Sequence, residues 1–162
     1  MKYNIFLIGP AGSGKTTLGR YYAKKQKINF FECDRVHNKK NILKMKNGIT
    51  ITQQERLTWV KRIKNKLSKK SKINLVIAFS GLIKFHRKML CHQNKKNLFF
   101  FLKTSNKTLK KRLNKRKNHF FNPKNYFDQI KLFQKSDDLI TLNSNKSLFY
   151  NYKKINTIIK FD

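Results

Sequence analysis

The segment that most constrains this chain is GPAGSGKTT, residues 9–17. It fits the pattern G-x-x-x-x-G-K-[ST] at Gly9, Gly14, Lys15 and Thr16, and it lies between an apolar run and a helix-compatible segment. That context is the one the pattern requires. Glycines allow a tight turn in which successive backbone N–H groups face one concavity, and the N-terminus of the following helix adds to it. The segment therefore predicts a nest for nucleotide phosphates.

Within this nest, Lys15 is predicted to reach the terminal phosphates and Thr16 to ligate Mg²⁺. The alternative is a glycine-rich turn between a strand and a helix that binds nothing. It is disfavoured because all four fixed positions and both flanks agree with the pattern. The residues predicted to contact the nucleotide are Gly9, Ala11, Gly12, Ser13, Gly14, Lys15, Thr16 and Thr17.

The order of apolar segments predicts a single domain spanning residues 1–162. Residues 3–8 form a near-continuous apolar run, which is typical of a strand buried on both faces of a parallel sheet. Further strands are predicted at 28–32, 73–79, 98–102 and 139–142. Helices are predicted at 15–25, 41–46, 53–71, 82–90, 106–116, 125–135 and 147–160. This alternation favours an α/β fold, a doubly wound parallel sheet of about five strands with helices on both faces.

Functional side chains are expected at the carboxyl ends of the strands, where such sheets bind ligands. Asp34 follows a predicted strand and is predicted to act as the base or orienting acceptor for a hydroxyl. Glu32 is predicted to contact Mg²⁺-bound water. Arg116 is predicted to close over the transferred phosphoryl group, since a guanidinium grips phosphate bidentately. Two alternatives stay open: Asp34 could pair with a lysine, and Arg116 could merely complement the C-terminus of its helix.

The net charge of +32 suggests a polyanion partner at first sight. However, lysine supplies 32 of the 39 basic residues and is spread along the whole chain. Lys, Asn, Ile and Phe share A/T-rich codons, so a mutational bias explains this composition without selection for binding. We therefore expect no specific nucleic-acid partner, although nonspecific polyanion binding that falls steeply with salt is expected.

Other features of the sequence favour a cytoplasmic location. The chain enters a predicted strand at once, and its apolar runs are too short to span a membrane, so no membrane partner is expected. Cys33 and Cys91 have no metal-binding spacing and are interpreted as reduced thiols. A homodimer is compatible with the sequence.

Three groups of residues resemble motifs of the gluconokinase family. Residues 30–59 resemble the family's acceptor segment, GD..H...NI.KM..G.PL.D.DR.PW, and residues 80–87 resemble its SALK..YRD motif. Residues 116–121 resemble RKGHFF, and Gln129 matches its SQF. The residues that carry the first resemblance are Asp34, His37, Asn41, Ile42, Lys44, Met45, Gly48, Arg56 and Trp59. Cys33, Thr58, Ile83 and Asn118 depart from the family pattern.

The resemblance implies a P-loop kinase fold related to shikimate and nucleoside monophosphate kinases. It implies ATP-dependent phosphorylation of D-gluconate to 6-phosphogluconate with Mg²⁺, with catalytic roles for Lys15, Asp34 and Arg116. An acceptor-binding segment is expected at about 35–60 and a mobile lid at about 116–126, where His119 orders the lid. The residues implied to contact gluconate are Asp34, His37, Lys44, Arg56, Lys84 and Arg87.

Two further functions stay open at this point. The acceptor could be shikimate or another small hydroxy acid, because Glu32-Cys33-Asp34 resembles the D-x-D of shikimate kinases. Alternatively, the chain could be a decayed or nucleic-acid-binding protein that keeps the phosphate loop only as a structural feature.

Overall fold

The structure is a computed structural model that describes residues 2–115 and 119–159. Within those residues, five parallel strands form one sheet with the order β2-β3-β1-β4-β5. The strands are β1 Tyr3–Ile8, β2 Asn29–Glu32, β3 Leu75–Phe79, β4 Lys96–Lys103 and β5 Leu139–Asn143. The predicted fold class, a parallel α/β sheet of about five strands, is confirmed.

Helices connect the strands and cover both faces of the sheet. The described helices are α1 Lys15–Gln26, α2 Lys39–Lys46, α3 Gln53–Ser68, α4 Lys84–Leu90, α5 Asn106–Lys115, α6 Tyr126–Lys131 and α7 Leu148–Asn156. Two 3-10 turns, Cys33–Val36 and Pro123–Asn125, lie at the carboxyl end of β2 and before α6.

The two faces of β1 pack against different helices, which is why every residue of this strand is buried. Ile5 and Leu7 belong to a core cluster with apolar residues of α1 and α7. Phe6 and Ile8 belong to a second cluster with residues of α3 and α4. Full burial of one such side chain contributes about 1.5–3 kcal/mol, so both helical layers depend on this central strand.

Two predicted helix starts are present as side-chain caps. The Thr52 hydroxyl accepts from the Glu55 backbone N–H at 3.2 Å, and the Glu55 carboxylate accepts from the Thr52 N–H at 2.9 Å, forming the capping box of α3. Ser105 accepts from the Thr108 N–H at 3.2 Å before α5. The bonds from the Glu55 and Thr108 N–H groups satisfy donors in the first helical turn that have no partner within the helix.

Helix α6 is shorter than the predicted 125–135 segment. It ends at Lys131, and the next two N–H groups, of Leu132 and Phe133, only close the last turn by donating to the carbonyls of Gln129 and Ile130. The Gln134 N–H donates to the Leu82 carbonyl at 2.7 Å, a bond across the fold that a continued helix would forbid. Tertiary bonding therefore overrides local helix propensity in this segment.

Both cysteines are free thiols, as predicted: Cys33 is buried and Cys91 is exposed. In the part of the chain that the structure describes, no helix has the length and apolar character needed to cross a bilayer.

Candidate active site

The phosphate loop joins β1 to α1 at the carboxyl edge of the sheet. Gly9, Gly12 and Gly14 have φ values of 147°, 81° and 96°, a region that residues with a Cβ rarely adopt. At Gly9 a Cβ would also lie 2.8 Å from the Ser13 hydroxyl. The Gly9 N–H donates to the carbonyl of Ser80 at 3.0 Å. The start of the loop is therefore fixed to the turn that follows β3.

The Lys15 side chain folds back over this loop. Its ammonium group donates to the carbonyls of Gly9 and Pro10, at 2.8 Å each. The carbonyls of the loop thus orient the cation toward the concavity in which phosphates are predicted. This position agrees with a lysine that acts on the terminal phosphates of a nucleotide.

Thr16 and Glu32 form the centre of a charged network beside the loop. The Thr16 hydroxyl donates to Glu32 Oε1 at 2.6 Å, while the guanidinium groups of Arg20 and Arg35 lie 3.3 and 3.5 Å from Oε2. A hydroxyl and a carboxylate are the oxygen donors that Mg²⁺ prefers, so Thr16 and Glu32 fit the metal predicted here. Direct contact of either residue with the metal stays a prediction.

One cavity of about 580 Å³ runs along this edge of the sheet and joins the phosphate loop to the predicted acceptor residues. Among the predicted site residues, the cavity is lined by Ala11, Gly12, Ser13, Gly14, Lys15, Thr16, Thr17, Asp34, His37 and Arg56. His86, Ser80 and Gly81 also contribute to its wall. The structure thus brings most of the predicted donor and acceptor groups into one space.

Trp59 fixes the turn that carries Asp34. Its indole N–H donates to the carbonyl of Cys33 at 3.1 Å, and the side chain is 4% exposed. Its ring stacks on His37, with centroids 4.2 Å apart and planes 8° apart. The Cys33 side chain, which stands where the family has glycine, is fully buried in the core beside Trp59. The added thiol therefore packs in the core and does not line the cavity.

The acceptor end combines one cation with two neutral imidazoles. Burial lowers the pKa of His37 to about 4, with a further contribution from the positive charge of Arg56. Burial and the same arginine lower the pKa of His86. Arg56 itself has a pKa lowered by burial, and its Nη2 donates to the Ile51 carbonyl at 3.3 Å. A partly buried guanidinium of this kind suits a carboxylate, while neutral imidazoles suit hydroxyl groups.

Three predicted substrate contacts are not brought to the cavity in the described structure. The Lys44 ammonium pairs with Glu55 at 2.6 Å, on the side of α3. Lys84 is exposed at the start of α4. Arg87 is fully buried behind the cavity wall and is bonded to backbone carbonyls. Lys44, Lys84 and Arg87 as ligands of gluconate stay predictions without support from these positions.

The far end of the cavity was missed by sequence reasoning. Arg112 on α5 donates to the Ser144 hydroxyl at 2.7 Å and to the Gly12 carbonyl at 3.4 Å. The Ser144 hydroxyl in turn donates to the carbonyl of Ser13 at 2.8 Å. The loop after β5 is therefore tied to the phosphate loop. Arg112 is one of only seven arginines, which makes it conspicuous in the sequence, but nothing in the sequence indicated its contact with the loop after β5 or with Ser144.

The segment from His119 to Lys131 closes the remaining side. Gln129 accepts from the Ala11 N–H at 2.8 Å. His119 accepts from the Phe121 N–H at 3.0 Å and stacks on Phe120, with centroids 4.5 Å apart. Its role in ordering a lid stays a prediction. Arg116 and Asn118, which belong to the predicted lid, lie outside the described residues.

The sheet order, the phosphate loop after the central strand and the aspartate across the same cavity define a P-loop kinase with an alcohol acceptor. The shikimate kinase family model matches residues 11–159. A probable gluconokinase of Dictyostelium discoideum is 32% identical over 141 residues, which are 82% of this chain and 70% of that protein. The chain belongs to the gluconokinase family, within the wider group that includes shikimate kinases.

Further relatives agree with this assignment. The thermosensitive gluconokinase of Escherichia coli K12 is 32% identical over 120 residues, covering 72% of this chain and 64% of that enzyme. The crystal structure of a gluconokinase from Sinorhizobium meliloti 1021 is 26% identical and superposes with a TM-score of 0.79 over 93% of this chain and 87% of its own. A sugar kinase from Janibacter sp. HTCC2649, 22% identical with a TM-score of 0.85 over 97% and 94%, shares the fold.

Proposed function

We propose that this protein transfers the γ-phosphoryl group of ATP to the 6-hydroxyl of D-gluconate, giving 6-phosphogluconate, with Mg²⁺ and in the cytoplasm. The observation that carries the proposal is the single cavity in which the phosphate loop meets Asp34, His37 and Arg56. Relatives that bear the name gluconokinase support gluconate as the acceptor.

On the donor side, the backbone N–H groups of residues 12–17 would hold the phosphates, and Lys15 would neutralise charge on the transferred group. Thr16, in contact with Glu32, would hold Mg²⁺, which supplies Lewis-acid stabilisation of the phosphate oxygens when bound. Arg112, bonded to Ser144 and Gly12, would support the loop at the nucleotide end.

On the acceptor side, Asp34 would orient the 6-hydroxyl and accept its proton as the new O–P bond forms and the bond to the ADP oxygen breaks. Arg56 would bind the carboxylate, and the neutral imidazoles of His37 and His86 would bond sugar hydroxyls. Arg116 would close over the transferred group as part of a lid at 116–126.

A coupled kinase assay with ATP and Mg²⁺ tests the proposal against three conditions: gluconate, shikimate and no acceptor. Gluconate alone is expected to give turnover. Lys15→Ala should abolish it, whereas Lys61→Ala, at an exposed position on α3, should not. Turnover only with shikimate would overturn the assignment of gluconate as the acceptor. Failure of every acceptor, with salt-sensitive oligonucleotide binding that survives Lys15→Ala, would overturn the kinase function and favour a nucleic-acid role.

A further inference from the structure

Arg87 is a fully buried cation outside the cavity lining. Its Nη1 donates to the carbonyls of Gly81 and Leu82, at 2.7 and 3.4 Å. Its Nη2 donates to the Gln134 carbonyl at 2.8 Å and to the Ser136 hydroxyl. A buried charge of this kind is tolerated only when its donors are satisfied, and these bonds satisfy both terminal nitrogens.

The guanidinium joins two segments that are far apart in sequence. One is the turn between β3 and α4, residues 80–83; the other is the connection between α6 and β5, residues 132–138. Backbone and side-chain bonds of Gln134 reinforce the junction, to the Leu82 carbonyl at 2.7 Å and from the Lys84 N–H at 2.8 Å. Asp138 adds an ion pair, with Oδ2 3.6 Å from Arg87 Nε, a nitrogen that has no hydrogen-bond partner among the described residues.

The turn held in this way touches both halves of the site. Residues 80–83 line the cavity, and the Ser80 carbonyl accepts from the Gly9 N–H of the phosphate loop. Gly81 has a φ of 58°, and a Cβ there would lie 2.6 Å from Ile8 Cγ2. The turn is therefore packed directly on the strand that feeds the phosphate loop, and a small shift of it would move the cavity wall.

We propose that Arg87 is a positioning residue for phosphoryl transfer: it sets the place of the 80–83 wall relative to the phosphate loop and makes no contact with the sugar acid. This inference rests on the proposed function. Arginine suits the role because its planar fork directs two nitrogens to different segments, whereas a lysine ammonium is a single point on a flexible stem. A reacting hydroxyl displaced by an ångström loses rate even when substrate still binds.

The central test is Arg87→Lys, with Arg62→Lys at an exposed site on α3 as the matched control. We expect kcat/KM for gluconate to fall at least about tenfold, while the Kd of ADP, measured by calorimetry without acceptor, changes less than about twofold. If kcat/KM for gluconate and the affinity for ADP fall by the same factor, Arg87 has a merely structural role. Unchanged kcat/KM in a folded variant would also overturn the inference.

Two variants separate positioning from direct binding and do not depend on Arg87→Lys folding. Ser136→Ala and Asp138→Asn remove distal partners and leave Arg87 in place. Positioning predicts that each lowers kcat/KM for gluconate about threefold or more, with ADP affinity retained. If Arg87 instead binds gluconate, both variants keep wild-type kinetics, which overturns the inference. If the wild-type enzyme turns over only another acceptor, gluconate is wrong as the substrate but the role of Arg87 can still be tested. The ratio of variant to wild-type kcat/KM is then measured with that acceptor.

Discussion

Gln129 holds the phosphate loop from the side, since its Oε1 accepts from the backbone N–H of Ala11 at 2.8 Å. The adjacent residue, Asp128, accepts from the Thr50 hydroxyl at 3.2 Å. One turn of α6 thus contacts the donor loop and the acceptor segment together. Helix α6 therefore connects the phosphate loop to the segment that is predicted to bind the acceptor.

Replacing Gln129 by Leu should loosen the phosphate loop. The loss of one hydrogen bond costs about 1 kcal/mol, which corresponds to about a fivefold rise in the Kd of ATP. Gln129→Glu keeps an accepting oxygen but adds a negative charge beside the phosphates, so it should weaken ATP binding further. Calorimetric titration measures both, with Gln54→Leu on the exposed side of α3 as control. Unchanged affinity in both variants would contradict the role.

The contact between Thr16 and Glu32 predicts a metal dependence. Thr16→Val keeps the shape of the side chain but removes the hydroxyl, and we expect kcat to fall about a hundredfold, in line with several kcal/mol of metal-derived stabilisation. Thr16→Ser restores the oxygen and should stay within about threefold of wild type. The measurement is kcat as a function of Mg²⁺ concentration. Wild-type kcat in the valine variant would argue against Thr16 as a ligand.

Much of the fold could be predicted because local and tertiary preferences agree. The apolar run at 3–8 became the central strand, and the capping box at Thr52 and Glu55 starts α3 as its pattern indicated. The failure at residues 132–135 has a physical cause. Those residues suit a helix locally, but the bonds of Gln134 to Leu82 and Arg87 take the chain out of the helix and into an irregular connection.

The site could be predicted for those functional residues that directly follow a strand. The phosphate loop and Asp34 follow β1 and β2 directly, so topology alone placed them at one edge. Contacts that depend on side-chain direction were not predictable. Arg87 faces the interior of the fold, and Arg112 reaches a loop 32 residues away in sequence. Neither direction follows from residue type or spacing.

The low pKa of His37 gives a pH dependence with a definite sign. Because the pKa falls from 6.5 to about 4 on folding, the unfolded chain binds more protons between these values. This contribution to stability is complete above pH 6.5 and is lost as the pH falls toward 4. His37→Phe keeps an aromatic ring on Trp59 and should flatten the dependence. Urea unfolding from pH 4.5 to 7.5 checks it, and NMR of the imidazole should show no titration near 6.5.

The bond from the Trp59 indole to the Cys33 carbonyl should matter for catalysis as well as for stability. Trp59→Phe keeps a ring beside His37 but leaves the buried carbonyl without its donor, which costs about 1–3 kcal/mol of unfolding free energy. Because Cys33 precedes Asp34, the turn that presents the carboxylate should loosen and kcat should fall. Ile63→Val is the matched control, since Ile63 is buried on the same helix, belongs to the same core cluster and does not line the cavity. It should lose stability by packing alone and keep a kcat near wild type. Equal kcat losses in the two variants would show that packing, and not the bond to Cys33, positions Asp34.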